Sequence, residues 1–248
     1  MNWRIIELQS NTAAMNMAID DAVARFVKQG SSKPTIRFYT WKPSAVSIGR
    51  FQSLEHEVNV KRCEGLGIDY VRRITGGGAV YHDSGGEITY SVIGPETMFP
   101  KGIRESYSCI CQWVIKGLSN IGIWAEFAPI NDILVEGKKI SGNAQTRRNG
   151  ILLQHGTVLY DLNIKKMFGV LKVSKAKISD KMIKNVEDRV TSVIRHRPVS
   201  SRELYNALLK GFTEGKEYEM GVISKEEMEF ADELAENTYS SKEWNFSR

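Results

Sequence analysis

The 248 residues are 42% hydrophobic and 25% charged, with 34 Lys and Arg against 29 Asp and Glu, a formal net charge of +5. This is ordinary globular composition with a mild basic bias that fits an anionic substrate without requiring nucleic acid. No apolar run approaches the ~18 residues of a membrane span, and Met1-Asn2-Trp3-Arg4 does not open a secretory leader, so the cytoplasm is expected. Cys63, Cys109 and Cys111 form an odd set without CxxC spacing, which argues against a disulfide framework and a zinc site.

In chain order, Trp3 to Leu8 reads as a strand. Asn11-Thr12 can cap a helix whose Met15, Ile19, Ala22, Val23 and Phe26 recur at helical spacing until Gly30. Thr35 to Trp41 and Ala45 to Gly49 are strand-like around a Lys42-Pro43-Ser44 turn, and a short helix from about Glu55 ends at Gly65 or Gly67. Ile68-Asp69-Tyr70-Val71 and Ile88 to Ile93 are two further strands, and Ile103 to Leu118 is a buried helix that holds Cys109 and Cys111 as packing residues. Trp124 to Phe127 resumes strand. Asn131 to Val135 turns at Glu136-Gly137 into Lys138 to Gly142, and Arg148-Asn149-Gly150-Ile151 carries the Asn-Gly pair of a type I′ hairpin whose return strand runs from Leu152 to Tyr160. From about residue 164 the texture is helical: Ile164 to Leu171, a segment near Lys181 to Ile194, Arg202 to Phe212, and Lys225 to Glu236. The expected fold class is α+β, a mixed, largely antiparallel sheet with flanking helices and a helical tail, in one domain spanning 1–248.

Between the two central strands lies Arg72-Arg73-Ile74-Thr75-Gly76-Gly77-Gly78-Ala79-Val80-Tyr81-His82-Asp83. A triple glycine is usually only a flexible turn. Here two arginines enter and a His-Asp pair leaves, so cations and backbone amides converge where an anion can sit. The spacing is not GxGxxG, and no Gly-Lys-Ser/Thr closes a Walker loop. Joining a carboxylate to the α-phosphate of ATP brings two anions together and needs fixed cations at the point of attack. Lys139, within Gly137-Lys138-Lys139-Ile140-Ser141-Gly142, and Arg73 are the candidates for that role, with Asp132 to hold Mg²⁺. His82 and His155 are assigned to positioning. From Lys165 to Arg197 ten basic residues stand against three acids, a surplus of seven; such a run is usually a solvated face and otherwise a surface for an anionic partner.

These blocks, with Gly49-Arg50-Phe51-Gln52, Asn131-Asp132 and His155-Gly156-Thr157 in the same order, resemble the lipoate-protein ligase A family over roughly Trp3 to Tyr160. Tyr239 to Trp244 is similar to the end of archaeal-type members. The resemblance implies the biotinyl/lipoyl protein ligase catalytic fold and an ATP-dependent, AMP-forming reaction. Lipoate and ATP give lipoyl-AMP, and a lysine of an acceptor lipoyl domain, in 2-oxoacid dehydrogenases or glycine cleavage H proteins, then takes the acyl group. It implies Lys139 as the catalytic cation. Arg73, Gly76, Gly77, Gly78, Ala79, Val80, Tyr81, His82, His155 and Thr157 would form the ATP and lipoyl-AMP site, and Asp132 would sit near Mg²⁺. It further implies a separate small accessory subunit, because a C-terminal accessory domain is not expected within this chain, and a cover over the adenylate from the basic segment. Gly86 departs from the family, where many members carry Asn. The alternatives are an octanoyl or lipoyl transferase of the same fold, one branch of which carries a nucleophilic cysteine near Asn131-Asp132, and a non-catalytic module binding a lipoyl domain or nucleic acid.

Overall fold

The large sheet begins with the first strand and is extended by seven of the ten that follow among the described residues. The computed structural model describes residues 2–161, 163–172 and 188–248. Its elements run β1 (Trp3–Asn11), α1 (Ala13–Gln29), β2 (Thr35–Trp41), β3 (Ala45–Ile48), α2 (Leu54–Glu57), α3 (Val60–Leu66), β4 (Asp69–Arg72), β5 (Val80–His82), β6 (Glu87–Pro95) and α4 (Ile103–Ser119). They continue with β7 (Glu126–Ala128), β8 (Asp132–Val135), β9 (Lys138–Arg148), β10 (Ile151–Leu159), α5 (Ile164–Val170), α6 (Val193–His196), α7 (Ser201–Thr213), β11 (Tyr218–Gly221), α8 (Lys225–Leu234) and α9 (Lys242–Asn245).

The local signals act as expected. The Thr12 side chain accepts from the Met15 N–H at the start of α1, and Gly30 closes the helix in the left-handed region. Glu136-Gly137 and Asn149-Gly150 both take positive φ at their two central positions, the backbone of type I′ turns. These two turns place β8, β9 and β10 side by side, which gives the large sheet its order β11-β1-β2-β6-β10-β9-β8-β7. Only β11–β1 and β1–β2 are parallel in it. β4-β3-β5 form a smaller sheet. The architecture is therefore α+β with a mixed, largely antiparallel sheet.

Side chains alternate across the large sheet and build a core on each face. On one, Phe38, Tyr90, Leu152 and Val158 meet Ile110 and Val114 of α4 and Leu208 and Phe212 of α7. On the other, Tyr39, Trp41, Ile151 and Leu153 meet Met17, Ile19 and Val23 of α1 and Ala231 of α8. A third cluster, with Val46, Ile48 and Tyr81 of the small sheet, packs against Leu54, Cys63 and Val170. The tail departs from expectation. It is not purely helical, since Tyr218–Gly221 adds a parallel edge strand to β1, and Arg4 of β1 reaches Glu227 of α8 through two hydrogen bonds of 2.7 Å. Of the helix expected near Lys181 to Ile194, residues 181–187 lie outside those described; the remainder holds only the single turn of α6.

Candidate active site

Where the small sheet meets the open face of β9 and β10, a cavity of about 300 Å³ is lined mainly by carbon. Its walls come from α1 (Met17), β2 (Tyr39, Trp41), the glycine loop and β5 (Gly77 to His82), β9 (Lys139, Gly142 to Ala144) and β10 (His155 to Thr157). Met167, Leu171 and Val190 close the side nearest α5. A mainly apolar cavity that also carries polar groups suits a ligand with a hydrocarbon part and an anionic head.

The glycine loop is held by its own arginine. Arg73 Nε donates to Thr75 Oγ1 at 3.1 Å and Nη1 to the Ser47 carbonyl and hydroxyl. Nη2 donates to the carbonyls of Gly76 and Gly78, both at 2.8 Å. A guanidinium has five N–H donors, and all five are used. Burial pushes the Arg73 pKa down to about 10, with Tyr107 and Tyr39 opposing the shift. Arg73 lines the cavity, as expected for a cation near the reacting anions, and its donors also fix the loop. Gly77 takes φ +98, and a Cβ at Gly49 would fall 2.0 Å from its carbonyl oxygen. Two glycines therefore meet where two side chains cannot. Gly77 and Gly78 face the cavity; Gly76 is not among its lining residues.

Arg72, adjacent in sequence, serves the opposite direction. Its guanidinium donates to the carbonyls of Arg50 and Gln52 and to those of Trp244 and Asn245. It thereby ties the C-terminal helix to the loop after β3.

Both site histidines are parts of buried networks. His82 stacks on Trp41 at 3.9 Å between ring centroids. Its Nε2 lies 2.8 Å from Ser47 Oγ and its Nδ1 2.7 Å from Glu87 Oε1. His155 Nε2 lies 2.8 Å from Thr75 Oγ1, while its Nδ1 is 3.6 Å from Asp20 Oδ2, too long for a hydrogen bond. Burial drives the His155 pKa below the ordinary imidazole value although Asp20 opposes it. Burial would raise Asp20, but His155, Arg37 and Ser91 together hold it below the usual carboxylate range. Asp20, Ser47 and Thr75, which sequence reasoning did not single out, complete the contacts of these two histidines. The signal was available for one of them, since Asp20 interrupts the apolar stripe of α1.

Lys139 contrasts with Arg73. Its Nζ pairs with Asp132 Oδ1 at 2.7 Å, and both side chains are about a third exposed, 39% and 34%. The backbone of Lys139 is gripped on both sides, its N–H donating to the Arg189 carbonyl and its carbonyl accepting from Thr191 N–H. A bulge between Ile133 and Leu134 shifts the register there. The lysine stem then lies over Gly142, where a Cβ would come within 2.7 Å of Nζ. Lys139 is thus a cation at the cavity wall with one exchangeable partner.

No group of three or more His, Cys, Asp or Glu able to hold a metal occurs among the described residues. A Mg²⁺ ion carried largely by phosphate oxygens needs only one or two carboxylates. Asp132, beside cavity-lining Asn131, meets that requirement. No cysteine lines the cavity. Burial pushes Cys63 up to about 11 and Cys111 to about 12, and it also raises Cys109. Gly86, the departure from the family pattern, has no room for a side chain: a Cβ would lie 2.7 Å from the Asp161 carbonyl and 2.8 Å from Asp83 Cβ.

Residues 12–213 match the model of the lipoyl protein ligase A/B catalytic domain. An octanoyltransferase LipM of Brevibacillus brevis is 34% identical over 275 aligned positions, covering 99% of both chains. That of Clostridioides difficile is 35% identical over 271, again covering 99% of both. Among solved structures, a bipartite lipoate protein ligase of the archaeon Thermoplasma acidophilum, studied with its E2 lipoyl domain, superposes with a TM-score of 0.90. It is 34% identical and covers 99% of this chain and 96% of its own. A lipoate-protein ligase A bound with ATP gives a TM-score of 0.86 at 32% identity, covering 99% of both chains.

Proposed function

The chain belongs to the family of lipoyl protein ligase A/B catalytic domains, and within it we propose that it is the AMP-forming lipoate-protein ligase rather than a thioester-forming transferase. The observation that carries this reading is the identity of the polar groups at the cavity: Lys139 is there, and none of the three thiols is. In the first step a lipoate carboxylate oxygen attacks the α-phosphorus of ATP and the bond to pyrophosphate breaks. Lys139, released from Asp132 as the phosphates arrive, lies between the two anions and stabilises the charge that builds there. The loop at Gly77 and Gly78 lets the head group lie against bare backbone, and the apolar walls take the acyl tail. Asp132 would hold Mg²⁺, which neutralises phosphate charge when bound. In the second step an acceptor lysine amine attacks the acyl carbon, AMP leaves, and the amine gives up its proton.

The acceptor is proposed to be a lipoyl domain, as for the archaeal ligase studied with one. We read 1–248 as one catalytic domain that works with a separate small subunit; likeness to a bipartite ligase supports this. Full, partner-independent lipoylation by the purified chain would remove the subunit from the account. Similarity to LipM favours a second reading, octanoyl transfer. Lipoate-stimulated exchange of pyrophosphate into ATP separates them: the ligase performs it, and the transferase instead yields a hydroxylamine-sensitive acyl adduct on the protein.

A further inference from the structure

Two chains of hydrogen bonds lead away from the Arg73 guanidinium, each through a hydroxyl to a histidine and on toward a carboxylate. One runs from Nε to Thr75 and His155. It stops there, because Asp20 lies 3.6 Å from the ring and gives its shorter contacts to Arg37, Tyr39 and Ser91. The other is closed along its whole length: Arg73 Nη1 to Ser47 Oγ at 3.1 Å, Ser47 Oγ to His82 Nε2 at 2.8 Å, and His82 Nδ1 to Glu87 Oε1 at 2.7 Å. Glu87 is buried and opens β6 of the large sheet, whereas His82 ends β5 of the small one. The bond between them therefore ties together the two sheets between which the cavity lies.

Each link has one direction. A guanidinium only donates, so Ser47 Oγ accepts from it; an ionised carboxylate only accepts, so the ring proton of His82 sits on Nδ1. The uncharged ring then offers a bare Nε2, and the Ser47 proton points at it. Without the carboxylate the ring is free to carry its proton on Nε2 instead. Ser47 Oγ, whose only hydrogen-bond partners among the described residues are Arg73 and His82, would then receive from both sides and lose the acceptor for its own proton. Glu87 Oε1 also accepts from Thr89 Oγ1 at 3.0 Å, and Thr89 accepts from Trp41 Nε1 at 2.8 Å. Trp41 is the cavity-wall ring stacked on His82. Both bonds fall on one oxygen, and Oε2 has no hydrogen-bond partner among the described residues.

Resting on the reading of the chain as an acyl-activating enzyme, we propose that Glu87 is a positioning residue of the reaction. It fixes the direction of the protons along His82 and Ser47, and thereby the seat of Arg73 and the glycine loop, while it holds Trp41 in the cavity wall through Thr89.

The test uses the full chain, isotopically labelled on nitrogen, with Glu87→Leu, Glu87→Gln, Ser47→Ala and the double variant of Glu87→Leu with Ser47→Ala. Nitrogen NMR reads which ring atom of His82 carries the proton, a property that lost packing alone does not move. Lipoate-dependent pyrophosphate exchange reads kcat and KM, and thermal melting confirms folding. In the unmodified chain the proton is expected on Nδ1, with Nε2 bare. Glu87→Gln keeps an acceptor oxygen for His82 and Thr89 and should keep that form, losing less than about fivefold in kcat, the scale of one weakened hydrogen bond. Glu87→Leu should bring a protonated Nε2 into the ring and lower kcat about thirtyfold, as a small misplacement at a reacting site does. Ser47→Ala cuts the same chain without removing a charge; it should match that loss and carries the comparison if Glu87→Leu does not fold. The double variant should fall no more than about twofold below the worse single variant, because both cuts lie in one chain. A proton on Nε2 in the unmodified chain, equal losses in the Gln and Leu variants, an unimpaired Ser47→Ala, or fully multiplied losses in the double variant would each overturn the proposal. If the unmodified chain shows no exchange, only the ligase reading fails: the ring-proton measurement stands, and the same kinetic comparison is made on octanoyl transfer from an octanoyl thioester to a lipoyl domain.

Discussion

The glycine loop and the β8–β9 hairpin face each other across the cavity and use their cations in opposite ways. Arg73 is buried, with every donor committed to carbonyls and hydroxyls of its own neighbourhood. Lys139 is about a third exposed and holds a single carboxylate. A committed cation stabilises a loop shape; a cation with one exchangeable partner can follow a reacting anion. The difference teaches that residue type and motif position do not reveal how two neighbouring cations are held; the hydrogen-bond inventory does.

Arg73→Ala should break this contrast most severely. It strands buried carbonyls and opens a void, costing about 3 kcal/mol of stability, the scale of leaving buried polar groups without their donor. Denaturant unfolding measures it, and a loss under about 1 kcal/mol would show that the loop does not depend on it.

Lys139→Ala should do the reverse. Its pair is solvent-screened, so stability should change little, whereas adenylate formation should fall by a factor of about 10² to 10³. Mass-spectrometric yield of lipoyl-AMP reads this, and near-normal yield would end the assignment. Lys138→Ala, one residue away on the strand, should stay within about twofold.

Gly142→Ala sharpens the comparison by displacing Lys139 without removing it. A methyl 2.7 Å from Nζ should slow adenylation about tenfold, through geometry alone, with the melting temperature nearly unchanged. An unaffected rate would mean that the lysine works from another position.

The loop's support through His155 should appear in its pH dependence. His155 is buried in its neutral form. Between its lowered folded value and about 6.5, the ordinary imidazole value, the unfolded chain binds the extra proton, so stability rises with pH in that window and is lost below about 6.5. Melting temperatures between pH 7.5 and 5 should fall, and His155→Asn should flatten the slope. An equal slope in the variant would assign it elsewhere. The smallest effect is expected from Cys63→Ala, Cys109→Ala and Cys111→Ala together, where activity per folded molecule should be retained.

Much of this was legible in the chain because local chemistry dictated it. Thr12 and Gly30 bracket α1, and Asn149-Gly150 sets the hairpin that brings His155 to Lys139's sheet face. What was not legible depended on distant partners. β11 has four residues with little burial and becomes a strand only because the β1 edge accepts it. Asp20 reads as a blemish in an apolar stripe until Arg37, Ser91 and His155 converge on it. That Arg73 also holds the glycine loop shows only once the carbonyls of Gly76 and Gly78 fold back onto it.

The central claim is that acyl activation here proceeds through a nucleotide and not through a thiol. The most direct measurement is exchange of labelled pyrophosphate into ATP by the purified chain, with and without lipoate, in Mg²⁺ and with the candidate small subunit present and absent. The account predicts lipoate-dependent exchange that Lys139→Ala abolishes and the triple cysteine variant retains. No exchange under any of these conditions, together with a hydroxylamine-sensitive octanoyl adduct on one of the three cysteines, would contradict it.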